Sequence, residues 1–96
     1  MDCLSKEEIG LQMQLVDPSW KLNETSIERD LVFADFKEAF AFMVSVSVIA
    51  DQLNHHPNWS NIYNKVWITL STHDVGGLTA LDFSFAKAVD QVLLKL

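Results

Sequence analysis

Three histidines are the residues of this 96-residue chain best suited to proton chemistry near neutral pH, and all stand beside turn-prone stretches, in His55-His56-Pro57 and in Thr72-His73-Asp74. Imidazole titrates close to neutrality, so a cluster of imidazoles in one pocket can both deliver and accept a proton at physiological pH. A turn near Asn64 separates the two clusters. In an antiparallel hairpin the start of the first strand lies beside the end of the second, so His73 is expected to approach the His55-His56 pair. Two other readings stay open on spacing alone. The His-His pair could be an ordinary surface feature, or the histidines with Asp51, Asp74 or Asp82 could ligate zinc, although no HExxH motif or paired-cysteine framework is present. Asp82 stands three residues after Thr79 and reads as a helix-capping partner, a role compatible with a place in an active site. Trp59 and Trp67 read as core or rim residues on which a flat ligand could stack, and Tyr63 as a hairpin-turn residue. Serine catalysis and phosphate cradling have no support, because GxSxG, GxGxxG and GxxxxGK are all missing and Gly76-Gly77 reads as a turn.

The elements that would carry these residues follow from periodicity. Ser5 with Glu8 has capping-box spacing, and Ile9, Met13 and Val16 continue at helical intervals until Asp17-Pro18. Ile27, Arg29, Leu31 and Phe33 alternate after the turn-like Asn23-Glu24-Thr25, which predicts a hairpin with the strand around Trp20-Lys21-Leu22. Asp35 and Glu38 open a helix reaching Leu53, although Val44-Ser45-Val46-Ser47-Val48 alternates like a strand; a strand of that length is rare and no Gly or Pro breaks the stretch. Ala39 to Ala50 carries no charge, as a helix covered on more than one side requires, with a sheet on one side and a neighbouring subunit on the other. A second hairpin spans Trp59 to Ser71, in which Val66, Ile68 and Leu70 oppose Trp67, Thr69 and Ser71. Thr79 then caps a last helix with Phe85, Val89, Val92 and Leu96 on its apolar face. The order α-β-β-α-β-β-α predicts an α+β domain, a four-stranded antiparallel sheet with three helices packed on one face.

Composition narrows the function classes. The chain is 49% hydrophobic with a net charge of -6, which fits one globular domain over residues 1–96 and disfavours direct binding to nucleic acid or an anionic membrane. Cys3 is the only cysteine, so an intrachain disulfide is impossible. The first residues have neither the basic start nor the apolar run of a signal peptide, and a cytoplasmic location is expected. A chain this short buries a limited share of its surface alone, so a homodimer or homotetramer is expected.

Taken together, His55-His56-Pro57-Asn58-Trp59, Tyr63-Asn64-Lys65-Val66, Thr72-His73-Asp74 and Gly76-Gly77-Leu78-Thr79 resemble the pterin-4a-carbinolamine dehydratases, and Asp35 to Met43 extends the likeness upstream. The resemblance implies a hydro-lyase that removes water from 4a-hydroxytetrahydropterin to give quinonoid dihydropterin, recycling the cofactor of aromatic amino acid hydroxylases. It implies no metal or organic cofactor, and assembly as dimers or tetramers. By the resemblance, His55, His56 and His73 match the family's active-site histidines, with His55 and His73 assigned to proton transfer and His56 to binding. Pro57, Thr72, Asp74 and Val75 would line the pterin pocket, with Trp59 and Asp51 at its rim and Asp82 orienting a histidine. Asp51 stands where many members carry Glu, Gln52 where a basic residue is common, and Leu81 where many are charged, so the pocket rim departs from the family pattern. Animal relatives also serve as dimerisation cofactors of a transcription factor, which makes a protein-binding module the alternative function.

Overall fold

The computed structural model describes residues 2–96. Its elements are α1 (Lys6–Met13), β1 (Lys21–Leu22), β2 (Ile27–Val32), α2 (Phe36–Leu53), β3 (Asn58–Ile62), β4 (Lys65–Leu70), a 3-10 turn (His73–Val75) and α3 (Ala80–Leu94). The strands form one antiparallel sheet in the order β1-β2-β4-β3. The expected α+β order is therefore the observed one, with the 3-10 turn added where the sequence suggested a plain loop.

Strand alternation builds the core. Ile27 on β2 and Val66, Ile68 and Leu70 on β4 point inward and are buried together with Phe42 and Val46 of α2 and Phe83, Phe85 and Val89 of α3. Truncating any of the three phenylalanines to Ala would cost about 3–5 kcal/mol. On α2 the buried residues Ala39, Phe42, Val46 and Ala50 recur at helical spacing, which settles the helix-or-strand ambiguity of that segment. Its other side carries Phe36, Phe40, Val44 and Val48, all about half exposed in the single chain.

Local chemistry fixes the ends. Asp35 accepts a bond from the Glu38 amide at 2.9 Å and starts α2. The Ser5 hydroxyl and the Glu8 carboxylate close the expected capping box at 3.1 and 2.9 Å. The bond from the Ser5 amide, followed by that from its hydroxyl, holds the Glu8 carboxyl below the ordinary glutamate value. Helix α1 stops at Met13, short of the expected Val16. The residue before a proline avoids helical backbone, and the Asp17 amide is drawn to Asp90 Oδ2 at 2.8 Å. Asp90 Oδ1 also accepts from Trp20 Nε1 and Arg29 Nη1, each at 2.8 Å, so one carboxylate of α3 ties down the chain before β1 and the inward-pointing cation of β2.

Candidate active site

The site forms where α2 ends, β4 ends and α3 begins. Asn54 closes α2 in the left-handed conformation at φ 48°, which asparagine tolerates better than most residues. The His55 amide donates back to the Ala50 carbonyl at 3.0 Å, so the chain reverses and the His55 ring meets the first turn of α3. There His55 Nε2 lies 2.6 Å from Asp82 Oδ1, with the two side chains 10% and 0% exposed. Asp82 Oδ2 accepts from the Thr79 amide at 2.9 Å, which is the capping box foreseen from spacing, and from the Thr72 hydroxyl at 2.8 Å. The direction of the His55–Asp82 contact depends on the His55 tautomer; an ionised carboxylate only accepts, and with Asp82 in that form His55 Nε2 is the donor. The Phe85 ring packs against His55 in an edge-on arrangement, with ring centroids 6.3 Å apart.

His73 arrives from the other direction. It opens the 3-10 turn after β4, which Gly76 ends at φ 66°. Thr72 and Gly77 pair across that turn, the Thr72 amide donating to the Gly77 carbonyl at 2.9 Å. The N-terminal segment covers it, with the Leu4 amide donating to the Leu78 carbonyl at 2.8 Å and Cys3 Sγ donating to the Val75 carbonyl at 3.3 Å.

His73 and His56 face a common cleft of about 260 Å³ lined also by Pro57, Asn58, Thr69 and Ser71. The hairpin argument thus brings His73 to His56. His55 is beside that cleft and not in its wall, since its Nε2 is turned to Asp82. His56 has a looser partner, Asp51 Oδ1 at 3.5 Å, with the side chains 63% and 85% exposed. Among the described residues no group of three or more His, Cys, Asp or Glu side chains is arranged to hold a metal ion.

Several expected pocket residues sit elsewhere. Trp59 is the neighbour of Asn58 on β3, so alternation turns it to the opposite face, where it lines an apolar groove with Phe40, Met43, Val44 and Ser47. Thr72 and Asp82 are buried at 7% and 0% exposure and bond each other, so neither side chain lines the cleft. Asp74 and Val75 follow His73 on the turn, outside the cleft wall. Sequence reading in turn missed Asn58, Thr69 and Ser71. The signal was available in the register: a two-residue turn pairing Ile62 with Lys65 also pairs Asn58 with Thr69.

Known proteins resemble this chain over most of its length. The family model described as Pterin 4 alpha carbinolamine dehydratase matches residues 2–92. A curated relative from Rhodospirillum rubrum, named "putative pterin-4-alpha-carbinolamine dehydratase", is 49% identical over 90 residues, covering 91% of this chain and 94% of its own. The crystal structure of a transcriptional coactivator/pterin dehydratase from Brucella melitensis superposes with a TM-score of 0.89 at 35% identity, covering 94% of this chain and 97% of that one. A pterin dehydratase-like protein identified as a RuBisCO assembly factor in the alpha-carboxysome shares the fold alone, at a TM-score of 0.64 and 20% identity over 76% of this chain and 84% of that one. This chain belongs to the pterin-4-alpha-carbinolamine dehydratase family.

Proposed function

We propose that the protein dehydrates 4a-hydroxytetrahydropterin to quinonoid dihydropterin and so returns the pterin cofactor of aromatic amino acid hydroxylases to use. The observation that carries this reading is the meeting of His56 and His73 in one cleft beside the His55-Asp82 pair. The reaction breaks the C4a–O bond while the hydroxyl takes up a proton and leaves as water; N5 gives up its proton and its electron pair forms the C=N bond to C4a. One group must deliver a proton and one must remove it within the same bound molecule, which two imidazoles in different protonation states can divide. His73 and His55 are assigned to proton transfer, His55 through Nδ1, the nitrogen turned away from Asp82. His56 binds the ring, with Pro57 and the polar Asn58, Thr69 and Ser71 shaping its seat. Asp82 is a positioning residue for His55, and Asp51 supports His56 from the rim.

Stopped-flow absorbance of freshly generated 4a-hydroxytetrahydropterin tests this reading. Acceleration by the wild-type protein is expected, with loss in His55→Ala and His73→Ala; folded wild-type protein without effect on the decay would overturn it.

The same chain is proposed to act in the cytoplasm as a homodimer or homotetramer. The support is the row Phe36, Phe40, Val44 and Val48 along α2, an apolar face on a helix whose opposite side is already in the core. Sedimentation at micromolar concentration should give dimers or tetramers, and monomers alone would refute the assembly. That face is also the surface a protein-binding role would use. Such a role is the second reading, supported by the coactivator part of the Brucella relative's name.

A further inference from the structure

The hydrogen bonds around Asp82 exceed what capping α3 requires. A capping box needs the Thr79 side chain on a backbone amide and the Asp82 carboxylate on the Thr79 amide, and both bonds are made, at 3.3 and 2.9 Å. Two further contacts serve no helix: Thr72 Oγ1 to Asp82 Oδ2 at 2.8 Å, and Thr79 Oγ1 to Thr72 Oγ1 at 2.7 Å. Both threonines are buried, at 7% and 1% exposure. The directions follow from counting protons. A hydroxyl carries one hydrogen, and that of Thr72 goes to the carboxylate, so Thr79 must donate to Thr72. The donors therefore converge on Asp82: Thr79 donates to Thr72 and Thr72 to Oδ2, while the His55 ring meets Oδ1 from the other side at 2.6 Å.

Thr72 is also the residue immediately before His73. Its backbone is locked by the pairing with Gly77, and its side chain by Asp82. One side chain thus joins the backbone that places His73 to the carboxylate that orients His55. The two histidines come from segments 18 residues apart, and no hydrogen bond joins their rings directly among the described residues. Resting on the dehydratase reading above, we infer that Thr72 is a positioning residue that couples the two histidines and, with Thr79, fixes Nε2 of His55 as its proton-bearing nitrogen, leaving Nδ1 as the one that reacts. Proton transfer needs its groups held within a fraction of an ångström of the productive geometry, so a threonine that never touches the substrate can still set the rate.

Thr72→Val keeps the volume and the β-branch and removes only the hydroxyl. On the full chain, long-range proton-nitrogen correlation of the histidine rings near neutral pH reads the tautomer without any turnover. The wild type is expected to show His55 as the Nε2–H form, and Thr72→Val to lose that single form into a mixture. Turnover of 4a-hydroxytetrahydropterin by Thr72→Val should fall about 10-fold in kcat, the scale of one hydrogen bond supporting a charged group, with KM within about 2-fold. Thr72→Ser should restore both the ring signals and kcat. Wild-type ring signals and kcat in Thr72→Val would overturn the inference, as would an Nδ1–H form of His55 in the wild type. Thr72→Cys, with a weaker donor in nearly the same volume, carries the same readings if Thr72→Val does not fold. An Nε2–H form without any turnover in the wild type would sink the dehydratase reading and leave the orienting network standing, so the two failures are distinguishable.

Discussion

His55 and His56 are neighbours in the chain, and each faces an aspartate, but the two pairs have little else in common. His55 and Asp82 approach to 2.6 Å with 10% and 0% of their side chains exposed, whereas His56 and Asp51 stand 3.5 Å apart at 63% and 85%. In the first pair water is excluded, and every polar atom of the carboxylate is committed to a protein donor. In the second, water competes for both partners and salt screens them, so the contact contributes little. Sequence adjacency says nothing of this difference, because the reversal at Asn54 sends one ring under α3 and leaves the other at the mouth of the cleft. The buried ring is held in one orientation by its partner, and the exposed one is open to solvent and to whatever enters the cleft.

The largest expected effect breaks the comparison on stability. Asp82→Ala strands the Thr79 amide, the Thr72 hydroxyl and His55 Nε2 as buried donors and should cost about 3 kcal/mol or more in urea unfolding, at roughly 1–3 kcal/mol per orphaned group. Asp51→Ala should stay within about 0.5 kcal/mol of wild type, as exposed pairs do. Equal losses in the two variants would mean that burial does not separate the pairs.

Activity sharpens it next. His73→Ala should lower the dehydration rate by about 10²-fold or more with an unchanged circular dichroism spectrum, the usual scale for one positioned acid or base. Unaltered turnover in that variant would remove His73 from the chemistry. A smaller effect belongs to His56→Ala, which is expected to raise KM by up to about 10-fold and leave kcat within about 3-fold, as loss of one binding hydrogen bond would. A collapse of kcat there instead would reverse the roles assigned to the two neighbouring histidines.

The smallest effect asks what an exposed carboxylate gains from backbone donors, which Asp51 lacks and Glu8 and Asp17 possess. The carboxyl of Glu8 is held low by the Ser5 amide and hydroxyl, and that of Asp17 chiefly by the Ser19 amide, then by its side chain. A carboxyl lowered in the folded state stabilises it fully above the unfolded value, about 4.3 for Glu, and loses that contribution as pH falls through the lower folded value. Unfolding midpoints measured from pH 6 down to about 3 should therefore fall less steeply for Glu8→Gln than for wild type. Parallel curves would show that the capping box adds no pH-dependent stability.

Much of this molecule was legible in its residue types. The helices of Ser5, Asp35 and Thr79 announce themselves because a capping side chain acts on amides only two or three residues away, and the β4 core row of Val66, Ile68 and Leu70 because a strand has period two. The meeting of His73 with the His55-His56 segment also followed, since an antiparallel hairpin with a known turn has a computable register. Trp59, expected at the pocket, stands on the other face of β3 from the cleft of His56 and His73, because one step along a strand changes face.

What the sequence by itself determined is the order of elements, the capped helix starts and the alternating core row of β4, all set by local backbone preference and side-chain period. Only the tertiary structure decided which histidine is locked and which is free, and that Thr72 spends its hydroxyl on Asp82 rather than on a ligand. Those outcomes depend on how the end of α2 packs against the first turn of α3, a contact between segments 27 residues apart whose geometry no local preference encodes. Burial then turns that geometry into chemistry, because a donor shut away from water must take the nearest acceptor the fold provides.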